Sequence, residues 1–171
     1  MSTTVVKLAD LPSAQPFQLT DEERHEIEHE MHHYADTRAA SIGALKIVQA
    51  KRGWVPDAAI PIVAKMIGTD AADLEGVATF YSLIFRQPVG RHVIKVCDSI
   101  SCHLTGYDEV KDAIGKKLGI RYGQTTKDQR FTFLPICCLG ACDRGPTMMI
   151  DDDLYGDVDP NGLDAILGKY S

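Results

Sequence analysis

The sequence predicts an α+β chain, with a helical bundle over residues 19–87 followed by a compact α/β domain over residues 88–171. Three observations carry this. Helix start and stop signals dominate to about residue 81. The turn-forming run Gln87-Pro88-Val89-Gly90 then breaks the pattern. Beyond it, short apolar runs of strand type alternate with helical patterns, the signature of helices laid over a sheet.

Taken in order, residues 1–18 hold Pro12 and Pro16 and no periodicity, so they read as a loose arm. Thr20-Asp21-Glu22-Glu23 reads as a capping box that opens a helix to about Tyr34. Residues 39–51 place Ile42, Leu45, Val48 and Gln49 at helical spacing, with Gly53 as the stop. A third helix is expected over Asp57–Ile67, where Pro61 is tolerated because it falls near the first turn. Asp70 caps a fourth, Ala71–Thr79. After the turn come a strand (His92–Cys97), a helix (Tyr107–Leu118), strands over Phe131–Ile136 and Thr147–Ile150, and a closing helix (Gly162–Tyr170).

The chemistry lies in cysteines. Cys97-x₄-Cys102 and Cys138-x₃-Cys142 each follow a strand-like run, in loops edged by small residues. Thiolates gathered from two such loops make a soft four-sulfur site, suited to an iron–sulfur cluster or to zinc. Structural zinc favours shorter clips such as C-x₂-C, whereas these wider loops suit a two-iron, two-sulfide cluster. Five cysteines and no secretory leader argue against a disulfide framework, and without C-x-x-C a thioredoxin-type dithiol has no basis. Free cysteines also occur simply as core residues. Cys137 complicates the count, because Cys137 to Cys142 repeats the x₄ spacing. Strand alternation turns Cys137 and Cys138 to opposite faces, so at most one faces a cluster and the other belongs in the core. Spacing alone leaves the choice open.

Composition narrows the function. The chain has 171 residues, 44 % of them apolar and 25 % charged, as in an ordinary globular protein. A net charge of −6 lacks the basic face that nucleic-acid binding needs. No stretch approaches the roughly 20 apolar residues of a membrane span. No export or organelle address is visible in residues 1–18, so a bacterial cytosol is the expected compartment. His25-Glu26-Ile27-Glu28-His29 and the overlapping His29-Glu30-Met31-His32-His33 match H-E-x-x-H, a zinc-protease pattern. The surroundings do not suit it: the segment is heavily charged, and no third ligand follows at metzincin spacing. A solvated helix face is the expectation, with a zinc protease as the rival of another class.

Taken together, Val77-Ala78-Thr79-Phe80-Tyr81, the Cys97-x₄-Cys102 clip, and Cys138-Leu139-Gly140-Ala141-Cys142 followed by Gly145-Pro146 resemble a known family. These are the E-type, thioredoxin-like 2Fe–2S subunits of bacterial NADH:quinone oxidoreductase, respiratory complex I. The likeness runs from about Thr20 to Tyr170. Arg38-Ala39-Ala40-Ser41 and the run from Ile84 to His92 favour the respiratory branch of proteobacteria. The resemblance implies that the α/β domain is thioredoxin-like. It also implies one 2Fe–2S cluster on Cys97, Cys102, Cys138 and Cys142, which decides between the adjacent cysteines in favour of Cys138. The implied partners are a flavoprotein subunit that binds FMN and NADH, with which single electrons are exchanged, and a large iron–sulfur subunit. The assembly would lie on the cytoplasmic side of the inner membrane, with no insertion by this chain and no catalysis by the chain alone. Related chains serve NAD-dependent formate dehydrogenases and bidirectional hydrogenases, the alternative assignment.

The chain carries no G-x-G-x-x-G dinucleotide loop, so NADH is expected to bind elsewhere. Asp98 and Asp143, each following a cysteine, would lower a cluster's potential, with Arg144 opposing them. Gly140 and Gly145 would let backbone N–H groups approach sulfur. Phe80, Tyr81 and Trp54 are candidates for a partner surface or for core.

Overall fold

The computed structural model describes residues 17–170. Most of the expected arm, residues 1–16, therefore lies outside the described residues. Phe17 and Gln18 are tied to the bundle, because the Arg52 guanidinium lies 4.4 Å over the Phe17 ring and donates to the Gln18 carbonyl at 3.0 Å.

Helix α1 (Asp21–Met31) opens on the capping box: Glu23 N–H donates to Thr20 Oγ1 at 3.1 Å, and Thr20 N–H to Glu23 Oε2 at 2.7 Å. It stops short of Tyr34. A 3₁₀ turn (Thr37–Ala40) leads into α2 (Ser41–Arg52), which Gly53 ends in the left-handed conformation at φ 80°. Another 3₁₀ turn (Asp57–Ala59) precedes α3 (Ile60–Ile67), which places Pro61 in its first turn, where no helical N–H is lost. Helix α4 (Ala71–Phe80) starts on Asp70, whose carboxylate accepts from Ala72 N–H at 2.7 Å. Leu45, Val48, Val63, Ile67 and Leu74 fill the bundle's own core. The segment after α4 is stitched to the bundle by Gln49, which bonds Leu83 O and Phe85 N–H, and by Arg86, which reaches Val55 O, Asp57 and Glu75.

From residue 92 the chain builds a five-stranded mixed sheet in the order β2-β3-β1-β4-β5. Strand β1 (His92–Cys97) runs parallel to β3 (Phe131–Ile136), and helix α6 (Tyr107–Leu118) makes the crossover between them. Strand β4 (Met148–Ile150) lies antiparallel to β1, while β2 (Gln124–Thr125) and β5 (Asp153–Tyr155) are short edges. Ile94, Val96, Phe133, Met148 and Ile150 form a second core with Val110 and Ile114 of α6 and with Leu163 and Leu167 of α7 (Leu163–Leu167). The closing helix is shorter than expected because a 3₁₀ turn (Pro160–Gly162) precedes it and Gly168 ends it. Helix α5 (Ile100–Leu104) had no counterpart in the sequence pattern. Nor did the burial of Lys95, whose Nζ donates to Asp151 O at 2.7 Å while burial pushes its pKa down.

Candidate metal centre

Both cysteine clips leave the carboxyl ends of neighbouring parallel strands. Cys97 ends β1, Ile136 ends β3, and the two are register partners, so the loops that follow start side by side. Asp98 N–H donates to Ile136 O at 3.0 Å, and Cys97 N–H to Thr147 O at 3.1 Å, which fixes both take-off points. Helix α5 is a single short turn that brings Cys102 back into the core beside Cys97, and both residues are buried. The Cys102 sulfur lies 3.4 Å from the hydroxyl of Thr147, which is itself buried.

The second loop lies against the first, with the Cys97 sulfur 3.9 Å from the Cys137 carbonyl. Cys138 and Cys142 are exposed, and Cys142 opens a 3₁₀ turn (Cys142–Arg144). Gly140 N–H donates to the Cys138 sulfur at 3.3 Å, from a backbone at φ 74° that suits glycine. Gly145 acts differently. A Cβ there would stand 2.6 Å from Thr105 Oγ1, so its bareness lets the second loop close on the end of α5.

The sulfurs sit in unlike surroundings. Burial pushes the Cys97 thiol up, but the Ser99 N–H, the Cys102 thiol, the Leu139 N–H and the Thr147 hydroxyl outweigh it and hold Cys97 below its ordinary value. Burial pushes Cys102 up, and the Thr147 hydroxyl and backbone offset only part of this. Asp98 is half-buried, whereas Asp143 and Arg144 are exposed.

Among the described residues no three Cys, His, Asp or Glu side chains gather to hold one ion. The donors are a buried pair and an exposed loop. Two cysteine pairs on adjoining loops, soft donors throughout, fit two irons that take two thiolates each. Backbone N–H and hydroxyl groups aimed at sulfur are the outer hydrogen-bond donors that a cluster needs. With Cys138 taken as the ligand from the family resemblance, Cys137 is expected in the core, and it is exposed instead. Strand β3 ends at Ile136, so the pleat does not reach it, and Cys137 lines a cavity of about 440 Å³ with Cys138, Tyr81, Leu83 and Lys46. No sequence signal marked Thr147.

The histidine-rich helix forms no cleft. The His29 and His33 rings meet edge to face, 4.9 Å apart, but among the described residues no third ligand-type side chain joins them; Glu26 is ion-paired with Lys51 at 2.9 Å, and His33 Nδ1 lies 3.5 Å from Glu30. Large apolar side chains do stand in water near the cysteine loops: Phe80 is 80 % exposed, Ile100 71 % and Leu104 81 %. Trp54 is half-buried.

Residues 27–171 match the family model of the thioredoxin-like 2Fe-2S ferredoxins. The E subunit of NADH-quinone oxidoreductase from Pseudomonas aeruginosa is 62 % identical over 154 residues, covering 90 % of this chain and 93 % of that protein. The protein of the same name from Escherichia coli strain K12 is 59 % identical over 159 residues, covering 93 % and 96 %. Among solved structures, an NAD+-reducing NiFe hydrogenase in the air-oxidised state is similar with a TM-score of 0.64 at 22 % identity. That match covers 76 % of this chain but 22 % of the hydrogenase chain, and it is a likeness of fold alone.

Proposed function

The chain belongs to the thioredoxin-like 2Fe-2S ferredoxin family, and from that premise we propose that it is the electron-transferring E-type subunit of a bacterial NADH-quinone oxidoreductase. It carries one 2Fe–2S cluster, held by Cys97, Cys102, Cys138 and Cys142. The observation that carries this reading is the meeting of the two cysteine loops at the ends of β1 and β3, with the Gly140 N–H and the Thr147 hydroxyl at the sulfurs. The cluster supplies one-electron redox chemistry when bound. The protein's own groups do the rest. Buried Cys97 and Cys102 shut water out on the inner side, while donors to sulfur offset negative charge. The exposed loop of Cys138 and Cys142 leaves one side open to a partner.

The redox partner is the flavoprotein subunit, which holds FMN and NADH, since this chain has no dinucleotide loop. It docks over the cysteine loops. Support comes from the apolar side chains on either flank: Tyr81 and Leu83 line the cavity beside Cys138, and Ile100 and Leu104 project from the helix that carries Cys102. Apolar surface left in water around a site marks an interface. A large iron–sulfur subunit is the second partner, in an arm on the cytoplasmic side of the inner membrane. No described helix is long and apolar enough to cross a membrane, in keeping with peripheral attachment.

The test is redox titration with and without the partner. The anaerobically purified chain should be red-brown, hold two irons and two sulfides, and be reduced by dithionite but not by NADH. Adding the flavoprotein subunit should make it reducible by NADH. Saturable NADH oxidation by the lone chain would overturn the assignment.

A further inference from the structure

We propose that the groove between the C-terminal half of α6 and the β2 edge docks an acidic segment of a second subunit, distinct from the redox partner. This rests on the reading above that the chain works inside a multisubunit assembly.

Two adjoining cavities, of about 600 and 870 Å³, form the groove and share Gly119, Ile120 and Gln124. The floor is apolar, with buried Ile120, Phe131 and Phe133 and a half-buried Tyr122 whose ring centroid lies 4.4 Å from that of Phe133. The rim is basic. Lys116, Arg121 and Lys127 are exposed there, and none has an ion-pair partner among the described residues. Their neighbours Lys111 and Lys117 are already paired, with Asp108 and Asp164.

Charge decides what the groove would accept. Residues 111–131 hold six of the chain's 18 basic residues but only two of its 24 acidic ones, in a protein of net charge −6. A positive strip on an otherwise acidic molecule attracts an acidic partner and turns basic ones away. The apolar floor adds a seat for one aromatic or aliphatic side chain of that partner.

The walls are formed before binding. Gln124 Oε1 accepts from Arg121 N–H at 2.8 Å, and Gln124 N–H donates to Arg121 O at 3.0 Å. Thr126 Oγ1 accepts from Arg130 N–H and Phe131 N–H and donates to Asp128 at 2.5 Å, which knots the opposite wall. Little backbone order is then lost on association. Position separates the basic rim of this groove from the cysteine loops, although the Tyr122 hydroxyl on its floor donates to that of Tyr107 at 3.1 Å. Helix α6 has 12 residues, about 18 Å end to end, and runs from Tyr107 beside α5 to Gly119 in the groove. A partner seated there leaves the cysteine loops free, so both partners bind at once.

The experiment purifies the assembly through a tag on this chain, comparing wild type with the triple variant Lys116→Glu, Arg121→Glu, Lys127→Glu over a series of salt concentrations. The variant should keep the flavin-bearing subunit and an unchanged cluster electron paramagnetic resonance signal. It should lose the second, flavin-free subunit, with binding weaker by at least about tenfold. Lysine-to-arginine exchange at 116 and 127 should retain that subunit, separating charge from misfolding. Three results would overturn the proposal: both subunits retained at wild-type salt resistance, loss of the flavin-bearing subunit instead, or salt-sensitive self-association of the wild-type chain that the variant abolishes. A wild-type chain that brought down no other protein at all would sink the functional reading itself.

Discussion

The hydroxyl of Thr147, buried and 3.4 Å from the Cys102 sulfur, has one role open to it once that sulfur is a metal-bound thiolate, which is to donate a hydrogen bond. Reduction adds negative charge, so the bond strengthens and favours the reduced state. Thr147→Val keeps the shape and removes the donor, and should lower the potential by about 50 mV, the equivalent of about 1 kcal/mol for one electron. Thr147→Ser should restore most of it. Asp143 is exposed and screened by water, so Asp143→Asn should raise the potential by less, on the same titration. Adjacent cysteines should behave oppositely. Cys138→Ala should bleach the protein and abolish the signal of the reduced cluster, whereas Cys137→Ala should leave both. Iron lost from Cys137→Ala alone would reverse that assignment.

Among the elements, α1 depends on one buried carboxylate. Glu23 closes the capping box and also takes two bonds from Arg52, each 2.6 Å, which pins α1 to the end of α2. Burial pushes its pKa up, but Arg52 and the Thr20 N–H outweigh this and hold it below the ordinary glutamate value. A depressed folded pKa stabilises above the unfolded value, and the contribution disappears as pH falls through the folded one. The bundle should therefore weaken in acid below the ordinary glutamate range, and Arg52→Ala should abolish or reverse that dependence, because burial then pushes the Glu23 pKa up with Arg52 no longer opposing it. The same variant should cost about 3 kcal/mol in a denaturant titration at neutral pH, because it strands a buried charge. Capping boxes are local, which is why this helix start was legible in the sequence. Helix α5 was not, because a single turn has no periodicity to display, and its register against Thr147 comes from contacts made far along the chain.

For the whole molecule, the two separate cores support reading the chain as two domains that meet at Gln87–Gly90. Leu45→Ala, in the bundle core, should cost about 2–5 kcal/mol there while the visible absorption of the cluster bleaches at an unchanged temperature. Simultaneous loss of both would mean one cooperative unit. At this scale the sequence by itself determined most of the order and type of elements, the two unlike halves and the two cysteine loops. Those follow from caps, turns and periodicity that act over a few residues. It was silent on Thr147, the buried Lys95 and the basic groove. Each of these depends on strands β1, β3 and β4, or on α6 and β2, lying side by side. Only the tertiary structure decided them, because hydrogen bonding, desolvation and charge fields act across space between residues distant in sequence.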